Sequence, residues 1–192
     1  MKLLVCSFLL ALLVVNCPAS SAMPLKWSGI GKFLTIQQEP GPENREVIKI
    51  ENTNATSSAM SNAMLDAKTL QGKRLTVTAL IRAEDVAEPA KSYLGVKLMI
   101  VVVRSDGSVK YFENLPAHCR FGTYRWKAAK VSAAIPADAE RVFLSIGLQQ
   151  TSGVVYYSGF RSEVQPCCCE LFYFLVCRAL PGGLPPEGFL IH

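Results

Sequence analysis

Histidine is scarce in this chain, and its scarcity narrows the chemistry that the protein can perform. Only His118 and His192 occur among the 192 residues. His118 adjoins Cys119, but neighbouring side chains on an extended chain point apart, so a Cys–His nucleophile is not predicted. The sequence also has no Gly-rich phosphate loop and no His/Cys spacing typical of a metal site. We therefore predict no catalytic residue, no metal and no cofactor.

Runs of basic residues and long apolar segments are missing as well. The net charge of +5 is scattered along the chain, so nucleic acid is not an expected partner. The apolar stretch 3–15 is shorter than the roughly 20 residues that a transmembrane helix needs, so no stable membrane span is expected. Glu84, Asp85 and Glu88 cluster before Pro89. A charged surface loop explains these acids as well as a glycosidase carboxylate pair does.

The N-terminus has the pattern of a signal peptide. Lys2 precedes the apolar stretch, Pro18 ends it, and small residues follow up to Ala22. This order predicts cleavage before Met23 and export of the mature chain to a periplasmic or extracellular location. A lipoprotein anchored through Cys17 fits less well, because Asn16 stands where a small residue is expected.

The seven cysteines do not form a framework for the main part of the chain. Cys6 and Cys17 belong to the predicted signal peptide, which leaves an odd number, so an unpaired thiol or a disulfide-linked partner is expected. All but Cys119 of this remainder lie in residues 165–192, where the composition changes abruptly. Three hypotheses stay open for this tail: a cysteine-rich tether, a disulfide-linked dimerisation segment, or translated sequence outside the natural protein.

The part between signal and tail is predicted to consist of β-strands. In residues 75–82 the apolar side chains of Leu75, Val77, Ala79 and Ile81 alternate with polar ones, which indicates a strand with one buried face. Residues 96–103 are almost continuously apolar, as in a strand buried on both faces. Further strands are predicted at 46–50, 60–65, 109–112, 127–135, 141–148 and 154–160. The helix candidate at 85–90 contains Pro89, which argues against it.

Four segments, in order, resemble the bacterial family 4/9-type carbohydrate-binding modules. They are Leu70–Glu84, Gly122–Lys127, Ile135–Leu144 and Gly147–Tyr157. The resemblance covers about residues 27–164. It implies an all-β fold, an antiparallel jelly-roll β-sandwich of about eight strands related to galactose-binding domains. We divide the chain into a signal peptide (1–22), this sandwich (23–164) and an irregular, cysteine-rich apolar tail (165–192).

The resemblance also implies a function and one departure from the family. Such modules are non-catalytic, bind polysaccharides and are usually attached to glycoside hydrolases. The family pattern places two aspartates after its closing aromatic pair, whereas this chain has Ser158 and Gly159. Because a hard cation needs several oxygen ligands, we predict no calcium through this position. The alternatives are a structural or protein-interaction sandwich and the accessory domain of a hydrolase whose catalytic part is absent.

Sugar recognition calls for flat aromatic rings with polar groups beside them. The predicted ligand-binding residues are Tyr93, Tyr111, Trp126, Gln149 and Tyr156. Gln150, Glu113 and Arg104 are further polar candidates.

Packing is the competing explanation for most of these aromatic residues. Trp126 begins a predicted strand and could serve the core. Tyr156 and Tyr157 must point to opposite faces, and the parity of Val155 places Tyr157 inside, which favours Tyr156 as the ligand contact. Tyr111 shares the parity of Val109, which would place it in the core. Tyr93 precedes a strand in a loop, where binding residues are common.

Overall fold

The computed structural model describes residues 25–28, 32–38 and 46–166. Strands dominate these ranges, joined by one four-residue helix and one 3₁₀ turn (Ala117–Cys119). The helix, α1, spans Ala67–Leu70, and in these ranges no helix is long and apolar enough to cross a membrane. The strands are β1 Leu34–Gln38, β2 Glu46–Asn52, β3 Ser58–Leu65, β4 Lys73–Val86, β5 Gly95–Arg104, β6 Val109–Glu113, β7 Gly122–Ala134, β8 Ala139–Gln149 and β9 Gly153–Pro166.

The strands form two antiparallel sheets that pack face to face. The five-stranded sheet has the order β1-β2-β9-β4-β7, and the four-stranded sheet has the order β3-β8-β5-β6. The predicted all-β sandwich is therefore confirmed, with nine strands in the described residues instead of about eight. The core lies between the sheets, where alternate side chains of each strand meet.

The two strongest sequence patterns account for the centre of each sheet. In β4, Leu75, Val77 and Ile81 are buried, while the intervening side chains are partly exposed on the outer face. In β5, the strand predicted to be buried on both faces is confirmed, since even its outward Lys97 is 3 % exposed. β5 lies between β8 and β6, so both of its edges are paired with neighbouring strands.

Tyr157 of β9 joins the two sheets across the core. Its hydroxyl donates to the Lys97 carbonyl oxygen (2.7 Å) and accepts from the Gly147 N–H (3.1 Å). These backbone groups belong to β5 and β8 of the opposite sheet. Burial raises the pKa of the Tyr157 phenol far above its ordinary value, so the hydroxyl stays protonated.

Three sequence predictions differ from the structure. Strand β1 (LTIQQ) was not predicted, because it has two apolar side chains and ends in two glutamines. The helix candidate at 85–90 is wrong, because β4 continues to Val86 through Asp85, whose φ is 51° at an irregularity of the β4–β7 pairing. β9 extends to Pro166, and the rest of the predicted tail lies outside the described residues, as do the signal peptide and all cysteines except Cys119.

Candidate functional site

A row of large side chains crosses the outer face of the five-stranded sheet. It consists of Trp126 on β7, Arg82 on β4, Tyr156 on β9 and Lys49 on β2, and we call it the aromatic row. Tyr156 lies directly opposite both Arg82 and Lys49 in the strand register. The antiparallel pairing of adjacent strands thus brings residues from distant parts of the chain side by side.

A bulge in β7 separates Trp126 from Tyr124. Between the paired positions Ile81/Lys127 and Ala83/Tyr124, β7 has one more residue than β4, so Arg125 and Trp126 together face Arg82. Trp126 keeps the outward parity of Lys130 and Ser132 and lies half-buried beside Arg82. The bulge breaks this alternation, so that Tyr124, two residues earlier, packs against the core.

The guanidinium of Arg82 lies between the two aromatic rings. Its central carbon is 4.0 Å from the ring centroid of Tyr156 and 5.3 Å from that of Trp126. Both distances are within the cation–π range, so the two rings help to hold the guanidinium in place. Because Arg82 covers the Tyr156 ring, only 7 % of Tyr156 is exposed.

Glu84 contacts both Tyr156 and Arg82 of the aromatic row. Its Oε2 accepts a 2.9 Å hydrogen bond from the Tyr156 hydroxyl, and its Oε1 lies 3.7 Å from Nη2 of Arg82. Burial, followed by the hydrogen bond to Glu84 and its charge, raises the pKa of Tyr156. Tyr156 thus remains a hydrogen-bond donor, while the half-exposed carboxylate of Glu84 keeps accepting capacity for a ligand.

At its other end the row opens into a groove along β1 and β2. Lys49 pairs with Glu51 (2.9 Å), and this hydrogen bond raises the pKa of Lys49. Both side chains line the groove, whose volume is about 670 Å³, together with Thr35, Gln37 and Asn52. Amide, hydroxyl, ammonium and carboxylate groups are therefore available beside the aromatic row, a combination suited to bonding sugar hydroxyls.

The structure brings together two of the predicted site residues, Trp126 and Tyr156. Tyr111 and Gln149 lie instead on the four-stranded sheet, on the opposite side of the sandwich. Tyr93 is 54 % exposed in the loop between β4 and β5, and its ring lies 5.7 Å from Nζ of Lys91. The predicted residues thus do not form a single cluster.

The parity arguments for the tyrosines had mixed outcomes. Tyr157 is buried and Tyr156 points outward, as predicted. The assignment of Tyr111 to the core is wrong: it is 66 % exposed, because Phe112 takes the inward position opposite Ile100. The further polar candidates Glu113 and Arg104 are bound to Lys97 and Asp138 respectively.

Sequence reasoning missed Arg82 and Lys49. It considered Glu84 as an acid of a surface loop or of a carboxylate pair, whereas Glu84 lies on strand β4. The alternation of β4 already placed Arg82 and Glu84 on the outward face, so this signal was present. The contact of Arg82 with Tyr156 was not readable, since it joins positions far apart in the chain.

The remaining polar residues that the sequence singled out serve the fold. The Ser158 hydroxyl donates to the Glu46 carbonyl oxygen (3.0 Å). The Cys119 carbonyl oxygen accepts from the Tyr124 hydroxyl (2.6 Å), and the Cys119 thiol is buried and free. Within the ranges that the structure covers, no group of three His, Cys, Asp or Glu side chains could hold a metal ion.

Solved structures with this fold include several carbohydrate-binding modules. The CBM22-1 xylan-binding domain from Paenibacillus barcinonensis Xyn10C has a TM-score of 0.52 at 7 % identity, and the match covers 77 % of this chain and 91 % of that one. The CBM22-1–CBM22-2 tandem from the same protein has a TM-score of 0.55 at 9 % identity, covering 78 % and 49 %. The C-terminal family 22 module of Clostridium thermocellum Xyn10B has a TM-score of 0.50 at 14 % identity, covering 72 % and 85 %.

At these identities the similarity establishes the fold alone. No family profile and no curated protein matches the chain in sequence. The expected jelly-roll sandwich of carbohydrate-binding modules is confirmed as a fold, whereas the assignment to families 4 and 9 stays a prediction.

Proposed function

We propose that this protein is a secreted, non-catalytic domain that binds a polysaccharide on the outer face of its five-stranded sheet. The aromatic row carries this proposal. A half-buried indole, a guanidinium and several hydrogen-bonding groups lie side by side across an open sheet face. A polymer needs such an open surface, since its chain must enter and leave the site at both ends.

Within this site, Trp126 is the ring that contacts the sugar. Tyr156 is covered by Arg82 and engaged with Glu84, so it acts as a positioning residue for both. The hydroxyl-bonding groups are then Arg82, Glu84 and Lys49. The sequence favoured Tyr156 as the residue that contacts the polysaccharide. We now assign that contact to its neighbours.

Affinity gel electrophoresis against xylan and other soluble polysaccharides tests this assignment. We expect Trp126→Ala to weaken binding about tenfold, since loss of the stacking ring should cost about 1.4 kcal/mol. Tyr156→Phe, which keeps the ring under Arg82 and loses the bond to Glu84, should weaken binding about threefold. Tyr111→Ala on the opposite face is the matched control and should bind like the parent. Retention of binding by Trp126→Ala would overturn the site.

The accompanying localisation is tested separately. If the chain is exported, the mature protein in the extracellular or periplasmic fraction should begin at Met23, as determined by N-terminal sequencing. Accumulation of full-length chain in the cytoplasm would contradict export without affecting the binding site.

A protein-interaction sandwich is the second candidate, and one observation favours it. Met64, Phe143, Val101 and Tyr111 lie directly opposite one another across the outer face of the four-stranded sheet. Met64 is 67 % exposed and Tyr111 is 66 % exposed. An apolar row that crosses a sheet can pair with its own copy about a two-fold axis.

Light scattering at increasing protein concentration distinguishes this candidate. A dimer that becomes monomeric in the Met64→Ser, Tyr111→Ser double variant would support self-association through this face. A monomer at all concentrations would rule it out.

A further inference from the structure

On the outer face of the five-stranded sheet, the side chains toward the start of β4 differ in chemistry from those of the aromatic row. There the side chains of Thr76, Thr78 and Ser132 form a hydroxyl-lined floor, in which the Thr76 and Ser132 hydroxyls lie 3.0 Å apart. We call this region the basic half of the face, for the charges that surround the floor.

Three cations border the floor. Lys130 on β7 and Arg161 on β9 both lie directly opposite Thr78, one on each side. Arg74 lies two positions beyond Thr76 on β4, and all three cations are exposed. Their side chains share the outer face because Leu75, Val77 and Val131 take the buried positions of the same strands.

The basic half of the face carries more positively than negatively charged side chains. Among the described residues, none of the three cations forms an ion pair. Glu163 is the acid on this part of the face, and its Oε1 accepts a 2.6 Å hydrogen bond from the Gln165 amide. Three cations against one acid leave an excess of positive charge, whereas in the aromatic row Lys49 and Arg82 face Glu51 and Glu84.

The two halves lie along one path on the sheet. Thr78 precedes Arg82 by four residues in β4, which corresponds to about 14 Å along an antiparallel strand. A polymer that follows the strand direction therefore contacts the aromatic row and the cations together.

We propose that the polysaccharide bound by this face is acidic, with its carboxylate or sulfate groups held by Lys130, Arg161 and Arg74. This inference rests on the proposed function. The aromatic row holds a sugar ring, and the hydroxyl floor and its cations receive the anionic groups of neighbouring units. Exposed cations act through long-range attraction as well as contact, so the binding weakens as salt rises.

Matched polymers test the charge requirement. Polygalacturonate is compared with its carboxyl-reduced neutral form, and dextran sulfate with dextran, by affinity gel electrophoresis at low and moderate salt. We expect each charged polymer to bind more tightly than its neutral partner, and the tighter of the two charged polymers assigns the anion as carboxylate or sulfate. Equal binding of charged and neutral forms would overturn the proposal.

A double variant tests the residues. Lys130→Gln with Arg161→Gln should weaken binding of the acidic polymer about tenfold and flatten its salt dependence, since two exposed and salt-screened charge contacts are lost. Lys110→Gln with Arg141→Gln removes the same charge from exposed positions of the four-stranded sheet and should leave binding unchanged. Unfolding midpoints in urea verify that both variants fold. Equal losses in the two variants would show an effect of net charge alone and would overturn the site.

Two further outcomes separate this inference from the proposed function. Tight binding of neutral polymers that is lost in Trp126→Ala but kept in the Lys130/Arg161 variant would leave the proposed function standing and overturn the acidic ligand. Single-stranded DNA bound as tightly as the acidic polysaccharide would show that the cations recognise any polyanion, which would likewise overturn it.

Discussion

At the residue scale, the position of Arg82 determines how much of the neighbouring Tyr156 ring is exposed. With its guanidinium 4.0 Å from the Tyr156 ring centroid, it hides a ring that would otherwise lie open on the sheet. The Arg82 side chain itself remains 26 % exposed. A planar cation held between two rings is a rigid hydrogen-bonding surface, which lowers the entropy lost when a ligand binds.

Gly147 is a position that cannot accept a side chain without a backbone clash. Its φ is +139°, and a Cβ atom added there would lie 2.1 Å from the Ala59 carbonyl oxygen of the neighbouring strand. We expect Gly147→Ala to lower the free energy of unfolding by about 3 kcal/mol or more, because backbone strain and a backbone clash combine.

Urea unfolding with Gly107→Ala as the control measures this effect. Gly107 also has a positive φ (+79°), but open space surrounds its Cβ position, so its substitution should cost only about 1 kcal/mol. Similar losses in the two variants would contradict the clash at Gly147.

At the scale of elements, a charged cluster fastens two loops to the four-stranded sheet. Glu113 at the end of β6 accepts from Nζ of Lys97 (2.6 Å) and from Nη1 of Arg120 (2.9 Å). Lys97 also donates to the Tyr93 carbonyl oxygen, and Arg120 donates to that of Leu115. The loop before β5 and the loop before β7 are thus held by one carboxylate.

This cluster makes stability depend on pH. Desolvation is the largest single influence on Glu113 and acts to raise its pKa, but the hydrogen bonds and charges of Lys97 and Arg120 together outweigh it and lower the pKa below the ordinary 4.5. A depressed folded-state pKa contributes stability at pH values above the unfolded one, and this stability is lost as pH falls through the folded pKa. We therefore expect unfolding midpoints to decline below about pH 4.5 partly through Glu113.

Glu113→Gln tests the cluster at fixed pH. The substitution leaves Lys97 buried without its countercharge and should cost about 3 kcal/mol at pH 7, measured by urea unfolding. The difference from the parent should shrink at pH 3, because the unfolded parent then binds a proton at Glu113 and part of the stability that this carboxylate contributes is lost. Glu140→Gln, at an exposed position of β8, is the control. A constant difference at both pH values would contradict the electrostatic explanation.

At the scale of the whole molecule, the sandwich depends on contacts between its sheets as well as on the strand ladders. The Tyr157 hydroxyl reaches the backbone of β5 and β8 from β9, so it fixes the position of one sheet against the other. Apolar side chains alone would allow the sheets to slide, whereas these hydrogen bonds are directional.

Tyr157→Phe should therefore lower the free energy of unfolding by about 2 kcal/mol, because it leaves the buried Gly147 N–H without this acceptor. Thermal and urea unfolding measure the loss. Tyr93→Phe removes an exposed hydroxyl and should unfold like the parent. An unchanged midpoint in Tyr157→Phe would mean that another group satisfies the Gly147 N–H.

The predictability of this fold varied with the length of each pattern. The alternation of β4 and the continuous apolar run of β5 were readable, because strands with one or two buried faces carry a local signal. β1, with two apolar side chains, gave no readable pattern, and the bulge beside Trp126 leaves no mark in the sequence. For the site, sequence reasoning identified Trp126 and Tyr156 but joined them with Tyr93, Tyr111 and Gln149, which lie elsewhere.

The sequence by itself determined that this chain forms a β-sandwich and which side chains of its long strands point outward, because the two-residue period of a strand is a local property. Only the tertiary structure decided which outward side chains meet. Arg82 reaches Tyr156, and Lys130 and Arg161 come to lie on either side of Thr78, through strand order and register. These depend on pairings between distant segments, whose free energies are settled by the packing of the whole core.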